Sequence, residues 1–291
     1  MNFYGYPVGE IDNGWVRIGY LKHGFLRLVS LRLRDNPTNL FVKLPEAGWQ
    51  TPLGFFRLMG GHRLWVAPEC REITYLLEPE ELIEEKFPGG VRLTQAVDAH
   101  SGLQRIVELR LEAGKAGFTV KHTLVNRGTQ AIHAAAWAIS QFPLGGIAAL
   151  PQPDTWADVS GLLPNRSLAL WPYTRLDDPR LRWMERYLMV NAHRIEHPCK
   201  VGYFGHQGWG AYLYQGVLIK KQVSLHSGLL YPDMNSGLEI YIDHRFLELE
   251  SLSPLCMLAI EDELVHEEHW SLEDASGVDD EQSLAQYLDN H

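Results

Sequence analysis

Short runs of alternating apolar and polar residues, each broken by Gly, Pro, Asn or Asp, dominate this sequence. A β-strand turns successive side chains to opposite faces, so such runs offer one face to a core and one to water. Examples are residues 15–20, 26–33, 90–97, 103–112 and 118–126. The runs Arg105–Glu112 and Phe118–Val125 flank a turn-forming stretch at 113–117 and predict a hairpin. Further strands are expected at 182–190, 199–205, 210–214, 217–223, 239–243, 246–252 and 265–272. The convincing helical segment lies near 281–288, after an Asp279-Asp280 start signal. The stretch from about Pro143 to Pro179 is rich in Pro, Gly, Asp and Asn and reads as long loops over one end of the scaffold.

About sixteen strands in one chain favour two packed layers over one open sheet. The fold class expected is therefore all-β, a large antiparallel sandwich with a short C-terminal helix. No composition shift, low-complexity stretch or fixed-period repeat divides the chain, so residues 1–291 are expected to form one domain.

The formal net charge is −10, and no basic stripe is present to neutralise phosphates. Neither nucleic acid nor an anionic membrane surface is an expected partner. The acidic runs 78–85 and 261–281 read as solvated faces. Apolar runs fall short of the roughly 18 residues a spanning helix needs. Cys70, Cys199 and Cys256 are odd in number and far apart, which fits neither a disulfide framework nor a zinc pattern. With no leader-like pattern over Met1–Glu10, a reducing, cytoplasmic setting is expected. His266 and His269 are three apart and point to opposite faces of a strand. His193 and His197 have helical spacing, but Pro198 follows at once. No bound metal and no cofactor are expected.

Three segments carry a family resemblance. The first is Met59-Gly60-Gly61-His62-Arg63-Leu64-Trp65-Val66-Ala67-Pro68-Glu69. The second runs from Lys200-Val201-Gly202 to Gln207-Gly208-Trp209-Gly210-Ala211-Tyr212. The third is Tyr231-Pro232-Asp233-Met234-Asn235, followed by Glu239-Ile240-Tyr241 and by Phe246–Leu255. Together they resemble the galactose mutarotase (aldose 1-epimerase) superfamily, and the Gly-Gly-His-Arg-Leu-Trp form resembles a bacterial group of undefined activity within it. The resemblance implies a galactose mutarotase-like supersandwich and a carbohydrate ligand. It also implies a carboxylate base at Glu250. The epimerases place an imidazole acid on a strand after a Val-x-Asn turn; the matching stretch here, after Val125-Asn126-Arg127, carries Trp137 at that place.

Such epimerases open a hemiacetal with a base on the anomeric hydroxyl and an acid on the ring oxygen, facing each other across the sugar. Glu250 is the candidate base, and His62 or His206 the candidate replacement acid. Strand alternation puts Glu248 and Glu250 on one face and Leu247, Leu249 and Ser251 on the other. Two like charges on one face need a counter-charge from Arg63, Lys200 or Lys221, or else both carboxylates are simply solvated. His62 and Arg63 are adjacent, so only one of them can face a pocket. Arg63 suits bidentate binding of a sugar carboxylate or phosphate, or a structural ion pair with Glu69. Trp65, Trp137, Trp171 and Trp209 are candidate stacking platforms or core residues. Asp233 and Asn235 form either a loop at the pocket mouth or only a turn, and Glu239 is a further candidate contact. The partner expected is a small-molecule carbohydrate, taken up by a monomer or weak dimer. Three functions remain open: an epimerase, a non-catalytic carbohydrate binder, and a lyase or hydrolase acting on acidic sugars.

Overall fold

The structure, a computed structural model, describes residues 2–75, 77, 81–153 and 159–290. Part of the acidic run at 78–85 and part of the predicted loop region at 143–179 fall outside these residues. The described chain forms two antiparallel sheets, one of twelve strands and one of ten. The strands Gly54–Ala67, Ile132–Pro143, Phe246–Leu252, Leu238–Ile242 and Cys199–Tyr203 lie side by side in the larger sheet. The smaller sheet centres on Val217–Val223, Glu263–Asp274, Gly117–Asn126 and Leu103–Leu111. The expected hairpin is present, with Phe118 opposite Leu111. Loops do not fill all of 143–179: Ile147–Pro151 is a fully buried strand between Tyr187–Asn191 and Trp209–Tyr214. A strand buried on both faces loses the alternation that marks a half-exposed one. No helix among the described residues is long and apolar enough to cross a membrane.

Alternation assigns each face its task. Leu247, Leu249, Leu64 and Val66 of the larger sheet join Val107, Leu109, Tyr212 and Trp270 of the smaller one in the core between the layers. The opposite face of the larger sheet carries Phe56, Trp65, Trp137, Ile139, Phe246 and Leu252. The outer face of the smaller sheet is covered by the C-terminal helix Glu281–Asn290, whose Leu284 and Ala285 pack with Trp209 and Met189.

The Gly-Gly motif is needed by the backbone. Met59, Gly60 and Gly61 all have positive φ, which turns the chain within the Gly54–Ala67 strand. A Cβ on Gly61 would stand 2.0 Å from the Leu28 carbonyl oxygen, and one on Gly60 2.2 Å from that of Val42. Only glycine combines that dihedral with that approach. Before the turn the strand pairs with Lys43–Thr51; after it, with Ile132–Pro143.

A buried polar network joins the two layers. His62 Nε2 lies 2.8 Å from His122 Nε2. His122 Nδ1 faces the His266 carbonyl at 3.1 Å, so that nitrogen carries the proton and His62 donates to Nε2. His62 Nδ1 then accepts from the Ser140 hydroxyl at 2.9 Å, and Ser140 accepts from Lys221 Nζ at 2.9 Å. Lys221 also pairs with Glu268 at 2.8 Å. Ser251 and the Trp270 indole donate to the same carboxylate. Ligand atoms of His62, His122 and Glu268 fall within 4.8 Å of one another, a spacing that could bracket a metal ion. The Lys221 ammonium holds the other oxygen of that carboxylate, 2.8 Å from Glu268 Oε1, while His62 Nε2 is 3.8 Å from Oε2.

Burial works against charge on all three histidines and lowers each pKa, that of His266 to about 3. Burial alone would raise the Glu268 carboxyl, but Lys221 and then the histidines hold it far below the usual range. The signs for acid stability agree. Unfolded histidines take up protons below about pH 6.5 that the folded ones refuse, and an unfolded glutamate does so below about pH 4.3. This network's own contribution to stability is thus fully present above about pH 6.5 and falls below it, by about 1.4 kcal/mol per pH unit for each histidine kept neutral. Urea unfolding at a series of pH values, on the intact protein and on His266→Gln, checks this; an equal fall in midpoint for both between about pH 7 and pH 5 contradicts it. Lys221→Met leaves the Glu268 carboxylate buried without its cation and is expected to destabilise by about 3–5 kcal/mol.

Candidate functional site

The outer face of the larger sheet holds a cavity of about 280 Å³. Its wall includes Trp49, Trp65, Trp137, Trp171, Tyr173 and Tyr241, with Arg63, Lys200, Arg245, Glu69 and Glu248 among them. Alternation along the strands brings these side chains to one face: Arg63 and Trp65; Trp137 and Gln141; Lys200; Glu239 and Tyr241; Phe246, Glu248 and Glu250.

Arg63, Gln141 and Glu248 form a closed triangle. Arg63 donates through Nη1 to Gln141 Oε1 at 3.1 Å and through Nη2 to Glu248 Oε1 at 3.1 Å. Gln141 Nε2 donates to the same Glu248 oxygen at 2.8 Å. The guanidinium also lies over the Trp65 ring, 3.8 Å from its centroid. Burial raises the Glu248 pKa to about 7, against the pull of Arg63. Its second oxygen, Oε2, has no partner among the described residues.

Lys200 anchors a second cluster. Its Nζ is 2.7 Å from Glu239 Oε2 and 3.0 Å from Glu250 Oε2, and 4.6 Å from the ring centroids of both Trp137 and Trp171. Burial opposes the ammonium, but Glu239 and Glu250 overcome it and hold the lysine charged. Glu239 and Glu250 face each other across neighbouring strands. Burial drives the Glu239 carboxyl well up, against the pull of Lys200 and with the nearby Glu250 adding to the rise. For Glu250, burial is outweighed by Lys200, by the neighbouring Glu239 and by the Trp137 indole, which donates at 2.6 Å; its pKa is lowered. Glycine at 202 leaves room for this packing, since a Cβ there would meet Glu239 Cγ at 3.2 Å.

A loop closes over Lys200. The Thr174 hydroxyl donates to the Lys200 carbonyl and accepts from its amide. The fully buried pair Asp178–Arg180 ties the same loop to the His197 carbonyl. These bonds place Trp171 and Tyr173 on the cavity wall. Tyr231, Pro232, Asp233, Met234 and Asn235 make a tight turn with positive φ at Asp233, Met234 and Asn235. Asn235 accepts from the Tyr231 amide, which makes its observed contact a turn contact. Asp233, half-buried beside Lys200 and Glu239, has its pKa raised by burial.

Several candidate residues thus meet at the cavity: Arg63, Glu69, Trp65, Trp137, Trp171, Lys200 and Glu248. Glu69 accepts from the Tyr75 hydroxyl at the rim and is not the ion-pair partner of Arg63; that partner is Glu248. Glu250 and Glu239 lie behind Trp137 and Lys200 with no exposed surface. Other candidates sit elsewhere. His62 points between the sheets toward His122, because its neighbour Arg63 takes the outer face. Lys221 is consumed by Glu268 in the same inner layer. Trp209 packs on the outer face of the smaller sheet beside Tyr187, under Lys220. His206 contacts the Phe204 ring, away from this cavity. Gln141, Tyr241, Tyr173, Trp49 and Arg245 are additions. Gln141 and Tyr241 share faces with Trp137 and Glu239, so alternation was signal enough to find them; the loop residue Tyr173 left no such mark.

No family model matches the chain, and no curated protein matches it. Solved structures do resemble it in shape. A galactose mutarotase-like protein from Lactobacillus casei superposes with a TM-score of 0.60 at 11% identity, over 92% of this chain and 100% of that one. A galactose mutarotase related enzyme from Lactobacillus acidophilus gives 0.58 at 8% identity, over 93% and 99%. A TPR-domain containing protein from Parabacteroides distasonis gives 0.65 at 13% identity, over 92% of this chain; the chain spans 47% of that protein's length. At these identities the likeness is one of architecture. The two packed antiparallel sheets with one C-terminal helix are a galactose mutarotase-like fold.

Proposed function

We propose that this protein binds a monosaccharide, or the terminal sugar of a glycan, in the cavity on the larger sheet. The observation that carries the reading is the cavity itself. Its volume of about 280 Å³ lies at the small end of ligand sites and matches one sugar ring. The half-buried Trp171 indole suits the C–H face of a sugar, with the edges of Trp65 and Trp137 beside it, while Glu248 Oε2 is open to a hydroxyl pair. The mutarotase-like names of the structural neighbours agree with a carbohydrate ligand.

The same geometry argues for binding rather than for epimerisation through Glu250. That carboxylate is sealed behind Trp137 and Lys200, with 0% exposure. A general base must come within hydrogen-bond reach of the proton it takes. No histidine lines the cavity among the described residues. One observation favours a second reading: Glu248, in the wall, has a pKa raised to about 7, which suits proton transfer near neutrality. An isomerase built on this cavity would use Glu248 as its base.

Saturation-transfer NMR with a panel of aldoses tests both readings. Binding without anomer exchange is the expected result. Anomer exchange that Glu248→Gln abolishes would favour the isomerase; failure of every sugar to bind would remove the carbohydrate reading. Trp171→Ala removes one stacking wall and is expected to weaken the bound sugar by about tenfold, measured by calorimetry. Glu250→Gln takes one counter-charge from Lys200. It is expected to lower unfolding stability by a few kcal/mol while the saturation-transfer signal persists.

A further inference from the structure

Three cations border the cavity, and each already has an acid partner. Lys200 is held by Glu239 and Glu250 behind the wall. Arg245 is held by Asp243, with its Nη2 2.6 Å from Oδ2. Arg63 is held by Glu248. The first pairing is shut away from any ligand, since Glu239 and Glu250 are fully buried. Asp243 is nearly so, with its two oxygens taken by Arg245 and by the amides of Arg245 and Phe246. Glu248 differs, because it neutralises a cation and also lines the cavity, with 10% of its side chain exposed.

An acidic sugar would find Arg63 attractive as a planar, bidentate partner. To reach it, the anion must approach the Glu248 carboxylate that holds the guanidinium. Two carboxylates on one guanidinium, in a cavity lined by indoles, repel each other with little water to screen them. An uncharged sugar meets no such repulsion and can donate its hydroxyls to Glu248 Oε2. We propose that Glu248 is the charge-selecting residue of this cavity: it admits an uncharged sugar and turns away a carboxylated one that Arg63 would otherwise capture. The inference rests on the carbohydrate reading above and assigns the charge of its ligand.

The groups facing Glu248 all bear on this selection. Arg63 and Gln141 come from the two strands beyond it, Tyr241 lies opposite it on the Leu238–Ile242 strand, and Glu250 shares its own strand. Lys200 and Asp243 act from farther off. Of these, Arg63 and Lys200 favour the Glu248 carboxylate, while burial, Glu250 and Asp243 favour its proton. Protonation of Glu248 removes the repulsion, so acidic sugars gain entry as the pH falls through about 7.

Calorimetry with D-glucose, D-galactose and their two uronic acids provides the test, on the intact protein and on Glu248→Gln. At about pH 8, the intact protein is expected to favour a neutral sugar over its uronic acid by about tenfold or more. Glu248→Gln is expected to shift that ratio toward the uronic acid by about tenfold. Adding Arg63→Met to it should abolish the gain. The intact protein offers a readout without any variant: its uronic acid affinity should rise about tenfold from pH 8 to pH 6, across a range where the sugar carboxylate does not titrate. An unchanged ratio in a folded Glu248→Gln, or equal affinity of the intact protein for both sugar classes at pH 8, overturns the assignment. Failure of every neutral sugar to bind overturns the carbohydrate reading itself, and this inference with it.

Discussion

The ammonium of Lys200 is the charge on which the cavity floor depends. It sits between two carboxyl groups on one side and two indoles on the other. A buried lysine is costly unless paired, and two buried glutamates on neighbouring strands would repel without it. Burial pushes the Glu239 carboxyl up while Lys200 and the Trp137 indole bring Glu250 down, which sets the two carboxyl groups apart. Trp137 then covers the anion with its indole N–H. The residue that covers the anion is thus also part of the cavity wall.

Three neighbouring strands of the larger sheet carry polar residues on both faces, in adjacent pairs. His62 and Arg63, Ser140 and Gln141, and Glu250 and Ser251 are successive residues. The inner member of each pair, His62, Ser140 or Ser251, joins the network around Glu268 and Lys221. The outer member, Arg63, Gln141 or Glu250, builds the cavity wall or its backing. A slip of one residue in any of these strands would exchange the two sets and leave charges without partners on both sides. The buried polar groups therefore pin the register, and the Gly60-Gly61 turn supplies the bend that lets the Gly54–Ala67 strand serve two neighbours.

Much of this was legible in the residues. The strand at 246–252 falls where alternation puts it, with Glu248 and Glu250 on one face and Leu247 and Leu249 in the core. The C-terminal helix and the long hairpin follow from equally local signals. Ile147–Pro151 escaped notice because both its faces are buried and no period survives. At the site, the opposite directions of His62 and Arg63 could be read from adjacency, but which of them faced outward could not. That choice depends on the turn at Met59-Gly60-Gly61 and on what the second sheet presents, namely His122 and Glu268. Alternation also gives no depth: it put Glu248 and Glu250 on one face, yet one lines the cavity and the other lies sealed behind an indole.

The two outer faces of the sandwich have opposite fates. The smaller sheet gives up its outer face to the C-terminal helix, which buries Leu284 and Ala285 against Trp209 and Met189. Among the described residues no helix longer than four residues packs on the larger sheet, and its aromatic side chains would be a liability if flat and open. Loops from 171–180 and the strand Lys43–Thr51 fold that surface into a pocket instead. Burying Arg63 and Lys200 in such a pocket is tolerable only because each brings its own carboxylate, which also spends their attraction for outside anions. Charge pairing that stabilises the folded wall thus sets the character of the hollow it encloses, which is aromatic and lined by paired charges.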